Sequence, residues 1–131
     1  MKASEVVLYK GSAFTIEWYF DERGNSEPLE YYEELSIERR VKLLKLVRLM
    51  GEVGKIFDTT KFRNEGDQIF AFKPQPDRYL CFFVTGKKII ITNAFEKKSQ
   101  KLPQGEKDRA LKVKSNFESR IKRGTYYEKE R

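Results

Sequence analysis

Ile89-Ile90-Ile91-Thr92-Asn93-Ala94-Phe95-Glu96-Lys97-Lys98-Ser99-Gln100-Lys101-Leu102-Pro103 is the stretch on which the reading of the fold turns. Its three isoleucines are apolar on both faces of an extended chain, as a central strand covered on each side would be. Phe95 then leaves the strand, a Lys pair and a third Lys follow, and Pro103 stops strand pairing. A strand end that releases clustered cations into a loop suits polyanion binding. Taken alone, the same run also reads as a solvated, Lys-rich connector.

Upstream, Gln68–Lys73, Arg78–Thr85 and Lys88–Phe95 are β-rich runs separated by Pro74-Gln75-Pro76-Asp77 and by Gly86-Lys87, whose length and residue types suit hairpin turns. An antiparallel three-strand meander is the economical topology. Asp58–Gly66 before it reads as a polar linker. Downstream, a helix from about Gln104 carries Ala110, Val113, Phe117 and Ile121 at helical spacing, with Lys112, Lys114, Arg120, Lys122 and Arg123 on its remaining surface. The tail from Gly124 to Arg131 reads as frayed.

Nearer the start, residues 12–20 alternate strictly, with Phe14, Ile16, Trp18 and Phe20 on one face and Thr15 and Glu17 on the other, which predicts a half-buried strand. A turn around Gly24-Asn25 ends it. Pro28 suits a first helical position, and Leu29, Tyr32 and Leu35 give a short stripe. Ser36 can cap a second helix whose stripe is Ile37, Val41, Leu44 and Val47, widened by Leu43, Leu46 and Met50 and stopped by Gly51 and Gly54. The expected fold is therefore α+β: N-terminal strand, helical hairpin, three-strand antiparallel meander and C-terminal helix, with residues 1–131 as one domain and a core over about 12–123.

Of 131 residues, 39% are apolar and 36% charged, which suits a globular chain with a densely charged surface. Net charge is +7, unevenly spread. Residues 1–60 hold nine Lys/Arg against eleven Asp/Glu, a balance of −2; residues 61–131 hold eighteen against nine, a balance of +9. A positive face within one domain favours nucleic acid or an acidic protein segment as partner, not a membrane surface. Cys81, the single cysteine, rules out an internal disulfide and suits a reducing cytoplasm. No run resembles a signal peptide or reaches the length of about eighteen apolar residues that a membrane span needs.

The chain has no His, which excludes histidine acid/base chemistry, Ser-His triads and His-ligated metals. One Cys cannot build a zinc site, and neither a Gly-rich phosphate loop nor an Asp/Glu cluster is present. No cofactor or metal is expected. Any chemistry must rest on Lys, Arg, Tyr and Glu.

The order of elements, together with Gln68-Ile-Phe-Ala-Phe-Lys73, Arg78-Tyr-Leu-Cys-Phe-Phe83 and Phe95-Glu-Lys-Lys-Ser-Gln-Lys-Leu-Pro103, resembles the phage-derived RelE/HigB-like toxins of the RelE/ParE superfamily over about residues 12–123. The last segment is similar to that family's Phe-x-Lys-Lys-Thr-x-Lys-Thr-Pro. Lys73 departs from the pattern, which carries Arg there, and the His that some HigB-type toxins use is absent. The resemblance implies the toxin of a type II toxin–antitoxin pair: a cytoplasmic mRNA interferase acting with the ribosome, neutralised by a cognate antitoxin, often a helix-turn-helix protein. A ParE-like toxin acting on gyrase, a non-catalytic RNA-binding module and a regulatory phage protein remain as alternatives.

Metal-free RNA cleavage needs the 2′-hydroxyl deprotonated, the extra phosphorane charge neutralised and the 5′-oxygen protonated as it leaves. Clustered cations do the second, and a desolvated Lys crowded by other cations can do the first or the third. Arg78 is the expected phosphate clamp, with Lys61, Lys73, Lys97 and Lys98 as neutralising or proton-transfer groups. Tyr79 is expected to stack on a base and Glu96 to serve as general base, with Arg63, Lys101 and Lys112 as further RNA contacts.

Overall fold

Strand β6 (Lys88–Glu96) contains the three isoleucines and lies at the centre of the molecule. The computed structural model describes residue 2 and residues 5–128. Among them the elements run β1 (Val7–Lys10), β2 (Thr15–Trp18), α1 (Glu27–Glu33), α2 (Ile37–Val53), β3 (Phe62–Asn64), β4 (Phe70–Phe72), β5 (Asp77–Val84), β6 and α3 (Gln104–Arg123). The six strands form one sheet in the order β1-β2-β6-β5-β4-β3. Only the β2–β6 pair is parallel, with Ile16 opposite Ile89 and Trp18 opposite Ile91. No helix among the described residues is long and apolar enough to cross a membrane.

The local signals that start and stop these elements are those written in the chain. Ser26 and Ser36 accept from the backbone N–H of Leu29 and Arg39, each at 3.3 Å, and cap α1 and α2. Gly54 closes α2 with a φ of 82°. Gly86 and Lys87 both take positive φ, as the two-residue turn of a right-twisted hairpin requires, and join β5 to β6. The bend between β1 and β2 lies backbone-to-backbone on α2, where Gly51 O accepts from Ala13 N at 2.7 Å. A Cβ on Gly11 would meet that oxygen at 2.2 Å, so only glycine fits there.

Period-2 alternation sorts the sheet's side chains into two cores. Trp18, Phe72, Tyr79, Cys81, Ile89 and Ile91 pack beneath α1 and α2 with Leu43, Val47 and Met50. On the opposite face Ile69, Ala71, Leu80, Phe82 and Ile90 pack beneath α3 with Ala110 and Phe117. Side chains of this size contribute about 1.5–3 kcal/mol each when fully buried.

Several expectations are corrected. β1 was not anticipated, and β3 forms inside the segment read as a linker, extending the meander to four strands. Both are short edge strands whose pairing partner supplies most of their order. In α2 the sheet selects Leu43, Val47 and Met50, leaving Ile37, Val41 and Leu44 outside. Arg120 of α3 is 5% exposed rather than solvated; it donates to Phe20 O at 2.8 Å and lies over the ring of Tyr126. The tail does not fray through residue 128. Tyr126 is buried against Tyr19 and Phe117, and Tyr127 Oη donates to the buried carboxylate of Glu17 at 2.5 Å. Apolar area on two consecutive aromatics outweighs the entropy of ordering a few residues. Residues 129–131 lie outside the described part.

Candidate nucleic-acid interface

The cleft is built where the sheet runs past the first turn of α3. β4 and β5 pair with Phe72 opposite Tyr79, which sets Lys73 beside Arg78, and Arg78 in turn is opposite Phe95 of β6. Lys73 N also donates to Lys61 O at 2.8 Å, so β3 continues the row. The adjacent row is Arg63, Ala71, Leu80 and Asn93. A bulge opposite Leu80–Cys81 inserts Thr92 into β6, and Asn93 reaches α3, donating to Glu106 O at 3.2 Å and Glu106 Oε1 at 3.0 Å. That anchor fixes the helix start over the sheet, and the loop 97–103 arches between them.

The resulting cleft has a volume of about 280 Å³. Arg63, Lys73 and Arg78 line its floor, Lys97, Lys98 and Lys101 its loop wall, and Lys107 its helical wall, with Glu65 as its one carboxylate. Lys107 bridges to Asp67 at 2.8 Å, tying the β3–β4 loop to α3 across the cleft. Glu65, its side chain 15% exposed, lies 3.8 Å from Arg63 Nε.

Arg78 is 7% exposed, and its guanidinium is held by uncharged acceptors: Asp77 O at 3.0 Å and Gln75 Oε1 at 3.3 Å. Burial holds its pKa below the ordinary arginine value, against the pull of Asp77 and Glu65. It still carries its proton at any working pH, because a guanidinium starts so high. Such a group, oriented but not neutralised, is ready for an external anion. Lys73 is half-buried, and its pKa lies below the ordinary lysine value. Desolvation is the largest cause, followed by Arg78 and, against the counter-pull of Glu65, Arg63 and Lys97. A lysine depressed in this way gives up its proton at a lower pH than an ordinary lysine does.

The structure thus brings together Arg63, Lys73, Arg78, Lys97, Lys98 and Lys101 of the expected residues. It separates the other four. Tyr79 is fully buried on the opposite face against Trp18 and Tyr31, where it cannot stack on a base. Glu96 is one residue past Phe95 and so points to the α1–α2 side, where Arg39 Nη2 lies 3.4 Å away; Lys98 Nζ reaches it from the loop at 3.3 Å. Lys61 continues the cationic row but does not line the cleft, and Lys112 is exposed two turns along α3 from Gln104. Glu65, Lys107 and the clamp-orienting Gln75 were missed. Lys61, Arg63 and Glu65 recur at a spacing of two around Phe62, which was the available sign that the polar linker holds a strand with its charged side chains on one face.

Among the described residues no group of three His, Cys, Asp or Glu is placed to hold a metal ion. A family model described as Phage derived protein Gp49-like (DUF891) matches residues 30–115, the span from α1 to the middle of α3 that contains every residue of the cleft. No curated protein matches the chain.

Proposed function

Since this chain belongs to the Gp49-like family of phage-derived proteins, we propose that it is the toxin of a type II toxin–antitoxin pair, a cytoplasmic, ribosome-associated endoribonuclease that cuts mRNA without a metal. The observation that carries this reading is the cleft itself: seven cations, one of them a desolvated Lys and one an un-neutralised Arg, around a single carboxylate. The RelE/HigB-like resemblance of Phe95–Pro103 supports it, because that segment supplies the loop wall. A cognate antitoxin, helix-turn-helix in type, completes the pair.

In the cleavage step Glu65 takes the proton of the ribose 2′-hydroxyl. The 2′-oxygen bonds to phosphorus, and the phosphorane's added charge rests on Arg78, Arg63 and Lys97. Lys73 gives its proton to the 5′-oxygen as the P–O5′ bond breaks, leaving a 2′,3′-cyclic phosphate and a 5′-hydroxyl. Glu65 replaces Glu96 in the base role because only Glu65 faces the cleft. A non-catalytic RNA-binding module is the second reading, favoured by Lys73 standing where the resembled family carries Arg. Inducible expression with and without the adjacent gene, followed by mapping of mRNA 5′ ends, tests the assignment; intact mRNA in arrested cells would sink it.

Two further results are expected of this site. RNA affinity should fall steeply with salt: if five of the seven cations meet phosphates, log K should drop against log salt with a slope of about −3.5. A salt-independent affinity would move RNA binding off the cleft. The pH profile carries the signature of Lys73. As the proton donor Lys73 must be charged, so its depressed pKa makes cleavage decline with rising pH before an ordinary lysine would titrate. Lys73→Arg keeps the positive charge but cannot release a proton in that range. It should be slower and lack the alkaline decline; a Lys73→Arg enzyme with the parent's rate and profile would remove Lys73 from proton transfer.

A further inference from the structure

The turn that joins β4 to β5 is strained at the residue that touches the phosphate clamp. Gln75 lies between Pro74 and Pro76 and takes a φ of 62°, in the left-handed region that a residue with a Cβ rarely adopts. Pro76 opposes this further, because a proline ring pushes the residue before it to extended backbone with φ near about −120°. Gly or Asn would relieve such a position, and neither stands there. Strain of this kind persists where the surrounding structure over-determines it, and it collects at ligand-binding sites. The turn holds three cations of the cleft. Gln75 Oε1 accepts from Arg78 Nη2 at 3.3 Å, Pro76 O accepts from Lys97 N at 2.8 Å, and Lys73 directly precedes the buried Pro74. Of these links, that of Gln75 alone is made by a side chain of the turn.

We propose that Gln75 is a positioning residue for the phosphate clamp: its left-handed backbone aims a neutral carboxamide at Arg78 and fixes the guanidinium without taking its charge. With Asp77 O as the other acceptor at 3.0 Å, two of the five guanidinium N–H groups are engaged while the side chain lines the cleft. The carboxylate of Asp77 does not compete, because it accepts from Tyr31 and Arg39. A glutamate at position 75 would have the same reach but would pair with Arg78 and leave it neutralised toward an RNA phosphate. A glycine would relieve the backbone and let the guanidinium swing. Reach and neutrality together are what the strained residue supplies.

The proposal rests on the cleft being a phosphate site, and its first readout needs no cleavage. The probe is a fluorescent RNA oligonucleotide with fluorine at every 2′ position, which keeps the phosphates and lacks the nucleophile, read by anisotropy. Gln75→Glu should weaken binding and flatten the slope of log K against log salt by about 0.7, one phosphate's share on a single strand. Gln75→Gly removes acceptor and strain together. Its Tm should not fall, its affinity should, and cleavage of unmodified RNA should slow by about tenfold to a hundredfold. In an Arg78→Ala background Gln75→Gly should add nothing, since it acts through that guanidinium; a role in holding the turn alone would cost the same in both backgrounds. If the parent bound RNA without cutting it, the nuclease reading alone would fall and the affinity cycle would still decide. The proposal is overturned if the parent does not bind the RNA, if Gln75→Glu leaves affinity and salt slope unchanged, if Gln75→Gly melts well below the parent, or if its effect is as large without Arg78 as with it.

Discussion

Arg78→Ala is expected to slow RNA cleavage by about a hundredfold to a thousandfold and to abolish growth arrest, while the protein stays folded. The guanidinium is the cleft's one cation that is both nearly fully buried and held by neutral acceptors, so it meets the scissile phosphate already oriented and without a competing carboxylate. Its loss leaves Asp77 O and Gln75 Oε1 at a cleft that water can enter, and the fold's main contacts on β5 lie elsewhere. A circular-dichroism melt like the parent's, together with single-turnover cleavage on ribosomes, separates the two effects. A folded Arg78→Ala protein as toxic as the parent would make Arg78 a structural residue. Lys97→Ala/Lys98→Ala should also end toxicity, and if both sets of variants stayed toxic the gyrase or binding-module reading would take precedence.

Asp77→Ala is expected to do the reverse, losing stability before activity can be assessed. Asp77 is 0% exposed and is the shared acceptor of three donors: Tyr31 Oη at 2.5 Å, Arg39 Nε at 3.0 Å and Arg39 Nη2. This cluster ties both helices of the hairpin to the start of β5. Removing the carboxylate leaves the Arg39 guanidinium with only the longer contact to Glu96 and takes the acceptor from the Tyr31 phenol beneath the helices, at a cost of about 3–5 kcal/mol. In a domain of this size that is a fall of roughly 10–20 °C in Tm. An Asp77→Ala protein melting within about 2 °C of the parent would show that the pair contributes nothing net. Adjacent substitutions at 77 and 78 thus have opposite readouts, because successive side chains of a strand serve opposite faces.

That alternation also explains what was legible in the residues and what was not. The main strands and helices, the Ser36 cap, the Gly54 stop and the Gly86-Lys87 turn could be read locally, since each depends on a periodicity or a backbone preference spanning a few residues. The joining of Lys73, Arg78 and the Lys97–Lys101 loop followed from hairpin pairing alone, which carries strand ends to known neighbours. The edge strands β1 and β3 escaped because three or four residues hold too little pattern, and Glu65 escaped with β3.

By itself the sequence determined an α+β chain of these elements with its positive charge gathered after residue 60, because periodicity, caps and charge are properties of neighbouring residues. Only the tertiary structure decided which side of each element counts. Tyr79 went to the core and Arg78 to the cleft according to where α3 packs. Glu96 turned to Arg39 while Phe95 met the cleft, Arg120 was buried against the ring of Tyr126, and α2 chose Leu43, Val47 and Met50 over an equally regular stripe. The physical reason is that burial comes from the partner surface: a periodic pattern offers candidate faces, and the packing of a distant segment selects the one removed from water.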